Sequence, residues 1–238
     1  MPGERLARIL AELEATSARD ELPTRLCEIT TEVVGVTGAG VMLMSGDVPQ
    51  GSLCTTNSVS SLIEELQYTL GEGPCVDAYR LDQVVLEPDL AHPHVPRWLA
   101  FTPPAVEAGV RGVFGFPLRV GSARLGALNL YQDVPGELST ERHADALVMA
   151  QVIAHWVLDR QASASPEALE RLLDSGADFH FVVNNAAGMV SVQAEVSITE
   201  ALIRLRAAAF SENRLVRDVA LDVVNRRRRF SRQGPEPV

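Results

Sequence analysis

The 238-residue sequence has no lysine, and all 21 of its basic side chains are arginine. This excludes a lysine-dependent phosphate loop: Gly71-Glu72-Gly73 lacks the following Gly and Lys that such a loop needs. It also makes every cation a forked guanidinium, which suits phosphates and base edges better than a point charge does. Cysteine is scarce too. Cys27, Cys54 and Cys75 are odd in number and without metal-type spacing, which argues against a disulfide framework and for a reducing, cytoplasmic setting. No apolar run approaches the length of a bilayer span, and the amphipathic start, with Glu4, Arg5 and Arg8, does not read as a signal peptide. The expectation is a cytoplasmic protein with no membrane partner. Internal repeats and low-complexity tracts are missing. So is any nucleophile with a base or any paired carboxylates in a pocket-like context, and the acids are scattered over helix faces. The sequence therefore predicts no catalytic residues, no cofactor and no enzyme.

What is present is a globular composition, 46% hydrophobic, with room for one good-sized domain and a small one. The net charge of −10 is unevenly spread. From Phe179 onward nine arginines face six acids, giving +3 and leaving −13 for the rest. An acidic body repels nucleic acid, so the basic end is the plausible phosphate-facing part.

Along the first two-thirds, residues 6–13 and 22–34 read as amphipathic helices. Residues 39–44 and 52–55 then read as a strand pair around a turn at 45–51. Residues 59–70 read as a helix broken by Gly71-Glu72-Gly73-Pro74, and 84–86 as a short strand. Residues 98–108 read as a helix interrupted at Pro103-Pro104. The clearest β signal is 113–120 with 124–131, a hairpin with Gly121 in its turn. A long helix is predicted from Ser139 or Thr140 to about Gln161. Its positions Leu147, Val148, Gln151, Ala154, His155 and Leu158 make a stripe that either packs on the sheet or forms a parallel dimer seam.

The last quarter reads as three short helices. Residues 179–193 supply the first. Ser197-Ile198-Thr199-Glu200 is a capping-box pattern for the second, whose stripe is Ile198, Ala201, Leu202, Leu205 and Ala209. Asn213 is placed to cap the third, with the stripe Leu215, Val216, Val219, Ala220, Val223 and Phe230. Three helices with one apolar face each must bury those faces together.

Ala186-Ala187-Gly188-Met189, Glu200-Ala201, Leu205-Arg206-Ala207-Ala208-Ala209, Asp218-Val219-Ala220 and Val223-Val224 together resemble an ANTAR domain, the RNA-binding antitermination module of bacterial regulators. The variant Gly188–Gln193 is similar to actinobacterial members. Asn184-Asn185 stand where that family usually has Gln. Upstream, Leu70-Gly71-Glu72-Gly73-Pro74-Cys75, Phe116-Pro117-Leu118 and Leu125-Gly126-Ala127-Leu128-Asn129-Leu130 resemble a GAF domain. The resemblances imply an α+β chain: a GAF-like antiparallel sheet flanked by helices over 1–161, a linker over 162–176, a three-helix ANTAR bundle over 177–230 and a tail over 231–238.

The candidate RNA-binding residues are Asn185, Arg204, Arg206, Arg214 and Arg217. Arg206 sits on the rim of its helix's stripe. Arg214 and Arg217 open the third helix, where a cation opposes the helix dipole unless another gain offsets it. The run Arg226–Arg229 fits either a helix C-terminus or RNA contact. Cys75, after its glycine turn, is a candidate ligand or redox residue, although free cysteine is more often a small buried hydrophobe. His92 and His94 lack a third ligand nearby, so no metal site is expected, and His155 reads as a packing or interface residue. Thr55, Thr56 and Asn57 either line a pocket or cap the next helix.

The resemblances thus imply a cytoplasmic transcription regulator. It would hold paired hairpin loops of nascent RNA so that a terminator does not form, under a small-molecule or protein signal at the GAF-like domain. A homodimer through the long helix is expected. The alternatives are a helix-turn-helix-like DNA-binding regulator, and a GAF sensor whose C-terminal helices only dimerise.

Overall fold

A computed structural model describes residues 22–45, 48–163, 178–212, 214–231 and 234–237. The chain forms two compact units, Met1–Leu172 and Leu173–Val238.

In the first unit the order is α1 (Leu22–Val34), β1 (Gly38–Ser45), β2 (Val48–Thr55), α2 (Ser58–Leu70), α3 (Pro74–Leu81), β3 (Val85–Glu87), α4 (Thr102–Glu107), β4 (Gly112–Val120), β5 (Ala123–Gln132) and α5 (Thr140–Ser163). The strands make one sheet, β2-β1-β5-β4-β3, in which every described pairing is antiparallel. The expected α+β layout with a GAF-like antiparallel sheet is present. The predicted helix at 6–13 lies outside the described residues.

The sheet is covered on both faces, so its strands are buried runs rather than alternating ones, and β5 is buried from Leu125 to Gln132. On one face Phe116 meets His143 of α5 with ring centroids 5.4 Å apart, and α1 packs beside α5. Ala146, Met149, Ala150, Ile153 and Val157 are the buried stripe of α5. The positions that the sequence suggests for its stripe therefore lie mostly to one side of that line. Leu147 is 42% exposed, Gln151 and His155 are exposed, and of that group Ala154 is buried.

On the other face α2 and α3 approach the sheet closely because the strands are small there. Gly40 and Gly115 flank Asn129 in one cross-strand row. A Cβ on Gly115 would sit 2.3 Å from the carbonyl oxygen of Pro74, and one on Gly40 would sit 2.7 Å from Glu64 Oε1. Glycine is needed at 115 for α3 to lie where it does, and at 40 it leaves room for the Glu64 side chain.

Several local expectations change. The β1–β2 strands extend further toward each other, leaving only 46–47 between them. Pro74 opens a helix, α3, that periodicity does not reveal; its ring fits the first turn, where no N–H is needed. Pro103-Pro104 likewise begin α4 instead of interrupting it. Asn57 and Ser60 form a reciprocal capping box, so Asn57 caps α2, and Thr55 bonds Ser61 at 2.7 Å. The cysteine expectation is corrected: Cys27 of α1 and Cys54 of β2 are joined in a disulfide, because paired elements bring together residues that spacing alone keeps 27 apart.

The second unit holds α6 (Asp178–Ala194), α7 (Ile198–Ser211), α8 (Val216–Val224) and a hairpin of β6 (Arg228–Ser231) with β7 (Gly234–Pro237). Val183, Ala186, Ala187, Val190, Ala201, Leu205, Ala209, Val216, Val219, Ala220 and Val223 are its buried core. Ser197 caps α7 by accepting from the Glu200 N–H at 3.1 Å, while the Glu200 carboxylate turns to Arg204 instead of completing the box. Ile198 is exposed, not part of the stripe. Asn213 lies outside the described residues, and the N-cap of α8 is Leu215, without a side-chain cap. Phe230 is buried as expected, but from strand β6, since α8 stops at Val224.

Candidate functional site

The first unit contains a buried polar cluster between the sheet and its α2–α3 layer. Glu64 and Gln67 lie on the face of α2 that also carries Ile63, and Asn129 stands in the glycine-flanked row of β5. The Asn129 amide donates to Glu64 Oε1 at 3.2 Å. Gln67 Oε1 accepts from the backbone N–H of Cys75 at 2.7 Å, which holds the start of α3 onto α2. The Cys75 thiol lies 3.9 Å from the carbonyl of Ala127. All four side chains are buried, and Glu64 Oε2, Gln67 Nε2 and Asn129 Oδ1 have no hydrogen-bond partner among the described residues.

Such a cluster is costly without further partners, since an unmatched buried polar atom loses its hydration. Burial pushes the Glu64 carboxyl up to about 8, only partly opposed by the Asn129 hydrogen bond. Burial, and then the nearby Glu64 charge, pushes the Cys75 thiol up as well. Cys75 is thus a free, enclosed, protonated thiol, in keeping with the small buried hydrophobe among its two sequence readings and not with a surface ligand or redox residue. A small molecule offering both donors and acceptors would complete the cluster.

A second set of contacts closes the turn before α3. Glu72 Oε1 accepts from the backbone N–H groups of Ala100 and Phe101 at 2.7 and 2.8 Å, and Trp98 Nε1 donates to Asp77 at 2.8 Å. His92 and His94 are exposed on the same long loop, and His92 bonds Asp89 at 3.3 Å. No group of three metal-type ligands occurs among the described residues.

In the second unit the predicted RNA-binding residues fall into different situations. Asn185 and Arg217 are exposed, on α6 and on the first turn of α8. Arg204 bonds Glu200 at 3.1 Å and the carbonyl of Ser231 at 3.1 Å. Arg206 is half-buried, with its Nε and Nη2 shielded from solvent. Arg214 is engaged by Asp222 at 2.8 Å and Glu212 at 3.3 Å. That ion pair offsets the unfavourable dipole at the start of α8. Arg228 in turn reaches Glu212 at 2.6 Å, and Arg227 reaches Asp222 at 3.1 Å. Hydrogen bonding from Arg228 holds the Glu212 carboxyl below its ordinary value, and that from Arg214 does the same for Asp222. Arg226 and Arg229 are exposed beside this network, and Arg227 is exposed within it. The five predicted residues therefore do not form one free surface.

Sequence reasoning missed Glu64, Gln67 and Asn129. Their signal was there: a Glu and a Gln on the apolar side of a helix, and an Asn inside the apolar run 125–131.

A GAF domain family model matches residues 16–154. Among solved structures, the GAF domain of a phosphoenolpyruvate-protein phosphotransferase from Coxiella burnetii is 17% identical with a TM-score of 0.51, covering 68% of this chain and 95% of that one. The corresponding domain from Acinetobacter is 11% identical with a TM-score of 0.50, covering 68% and 96%. A far-red-absorbing protein with bound biliverdin IXα is 10% identical with a TM-score of 0.50, covering 66% and 99%. At these identities the likeness is one of fold. No curated protein sequence matches the chain.

Proposed function

Because the chain belongs to the GAF domain family through residues 16–154, we propose that it is a signal-controlled transcription regulator that binds structured RNA with its second unit. GAF domains are signal-sensing regulatory modules, and the buried Glu64–Gln67–Asn129 cluster is where a small-molecule signal is read. A relative with this fold holds biliverdin, so the fold has room for a small molecule.

The observation that carries the RNA reading is the charge separation: the basic end carries +3 against −13 elsewhere, and its ANTAR-like positions Ala186, Ala187, Ala201, Leu205, Ala209, Val219, Ala220 and Val223 all lie in its core. Motif residues that pack inward leave Arg217, Arg226, Arg227, Arg229 and Asn185 outside, where phosphates and unpaired loop bases can meet them. The RNA has two competing folds, and the protein favours the one it binds more tightly, here paired hairpin loops over a terminator. Such an activity belongs in the cytoplasm and asks no reaction of the chain. A homodimer suits paired loops, and the exposed line Leu147, Gln151, His155 on α5 is its seam.

The test is a gel shift of a dual hairpin-loop RNA by the full chain, against duplex DNA of equal length. Salt-sensitive binding of the RNA alone supports the reading. Preference for the duplex would favour a DNA-binding regulator, and self-association without nucleic acid binding would favour a dimerisation-only C-terminus.

A further inference from the structure

We propose that Cys27 and Cys54 are a reversible oxidation site, through which this regulator answers the thiol–disulfide balance of its surroundings. The inference rests on the RNA-binding reading, since a protein acting on nascent RNA works in a reducing cytosol. Disulfides there are usually transient and redox-sensing instead of permanent.

The bond's position gives it a consequence. It ties α1 to β2, the edge strand of the sheet, whose pairing with β1 is already interrupted by two register shifts. The end of α1 is in turn clasped from α5: Arg142 Nε donates to the carbonyl of Val34 at 2.7 Å, and its Nη2 donates to that of Gly35. Breaking the disulfide removes the covalent tie between the middle of α1 and the edge strand, while Arg142 still links the end of α1 to the start of α5. The oxidation state of two sulfurs thereby reaches the long helix α5.

The third cysteine does not compete. Cys75 lies against Ala127, whose row is on the α2–α3 side of the sheet, whereas Cys54 pairs with Val41 on the side that faces α1 and α5. Intramolecular reshuffling is closed off by the sheet itself.

Both cysteines are buried, Cys54 keeping 5% exposure and Cys27 none, so exchange begins at Cys54 when α1 opens locally from the edge strand. A small-molecule thiolate attacks Cys54 Sγ, the S–S bond breaks, and Cys27 leaves as a thiolate and takes a proton. A second small-molecule thiol resolves the mixed disulfide, releasing Cys54 as a thiol and the small molecule as its own disulfide. Two electrons pass from two thiols to one protein disulfide, and oxidation is the reverse.

The full chain is equilibrated in glutathione buffers of stepped reduced-to-oxidised ratio, its thiols are trapped with maleimide, and the additions are counted by mass. Cys27 and Cys54 should convert together and reversibly while the protein stays folded, and Cys75→Ser should leave the transition unchanged. Amide exchange over 22–34 should be at least about tenfold faster in the reduced form, as local opening becomes easier. Cys27→Ser should show the fast exchange in every buffer, and if it fails to fold, the wild-type titration decides alone. A disulfide that survives millimolar reduced glutathione until the protein unfolds is a structural staple and overturns the proposal, as does a pair that never oxidises. Hairpin-RNA affinity measured in both forms separates the two readings. A difference of about tenfold or more is expected. Equal affinity in both forms overturns control by this site. Failure to bind in either form sinks the RNA reading, and the thiol titration then still decides whether the two cysteines are a reversible oxidation site.

Discussion

The Asn129 amide of β5 donates to Oε1 of the Glu64 carboxyl group of α2 at 3.2 Å, and this is the one described hydrogen bond that this buried group has. With its carboxyl pushed up to about 8 by burial, Glu64 is protonated in the folded protein across a range where the unfolded chain has already released its proton. Its contribution to stability is therefore fully present below the ordinary carboxylate value of about 4.5 and is lost as pH rises through about 8. Glu64→Gln should match the wild type near the acid end of this window and exceed it in stability at pH values above it. Denaturant melts at stepped pH read the effect directly. A variant whose stability falls with pH as steeply as the wild type would mean that Glu64 is solvated in the folded protein.

Two small residues of the second unit should respond in opposite ways. Gly188 lies inside α6, and a Cβ there meets nothing within 4 Å, so Gly188→Ala should stabilise by roughly 0.5–1 kcal/mol through helix propensity. Ala201 is fully buried on α7, so Ala201→Leu should destabilise by about 1–3 kcal/mol through overpacking. Thermal melts of the full chain, following the second unit, check both.

How legible the molecule is in its sequence depends on the range of the signals. Local periodicity locates α2, the β4–β5 hairpin, α5 and the three C-terminal helices, because each follows from neighbours a few residues apart. Pro74 and Pro103-Pro104 look like breaks in the sequence when they are first-turn residues, since proline marks a boundary without saying which side is helical. The Cys27–Cys54 bond and the meeting of Glu64 with Asn129 depend on sheet order, which no local pattern carries. Arg206 and Arg214 show the same limit. Their helix positions are legible, but whether an acid or the protein interior claims their guanidinium groups is not.

The arginines of the second unit should divide by function. Arg214 is held by Asp222 and Glu212 near the surface, so Arg214→Ala should cost stability by roughly 0.5–1 kcal/mol and change RNA affinity little beyond that. Arg217, Arg226 and Arg229 are exposed, and replacing all three by Ala should weaken hairpin-RNA binding at least about tenfold and flatten its salt dependence. Melting curves and gel shifts at two salt concentrations distinguish these effects. Unchanged affinity in the triple variant would move the RNA-facing surface elsewhere.

On α5 the buried stripe, Ala146 through Val157, already satisfies the sheet, which leaves Leu147, Gln151 and His155 on a separate exposed line that Leu158 continues half-buried. An apolar residue at each end with polar groups between is a modest seam, one that holds a dimer only through mass action or with help from bound RNA. Sedimentation of the full chain at about ten micromolar should show a dimer, because association at such a seam is concentration-dependent. Leu147→Asp with Leu158→Asp should shift it to monomer, since each acid places a charge where two copies would otherwise bury a leucine. The double variant should keep its melting temperature nearly unchanged, as neither side chain belongs to the fully buried core. A wild-type monomer at that concentration would exclude a constitutive seam. A dimer that persists in the double variant would place the contact on another surface of the chain.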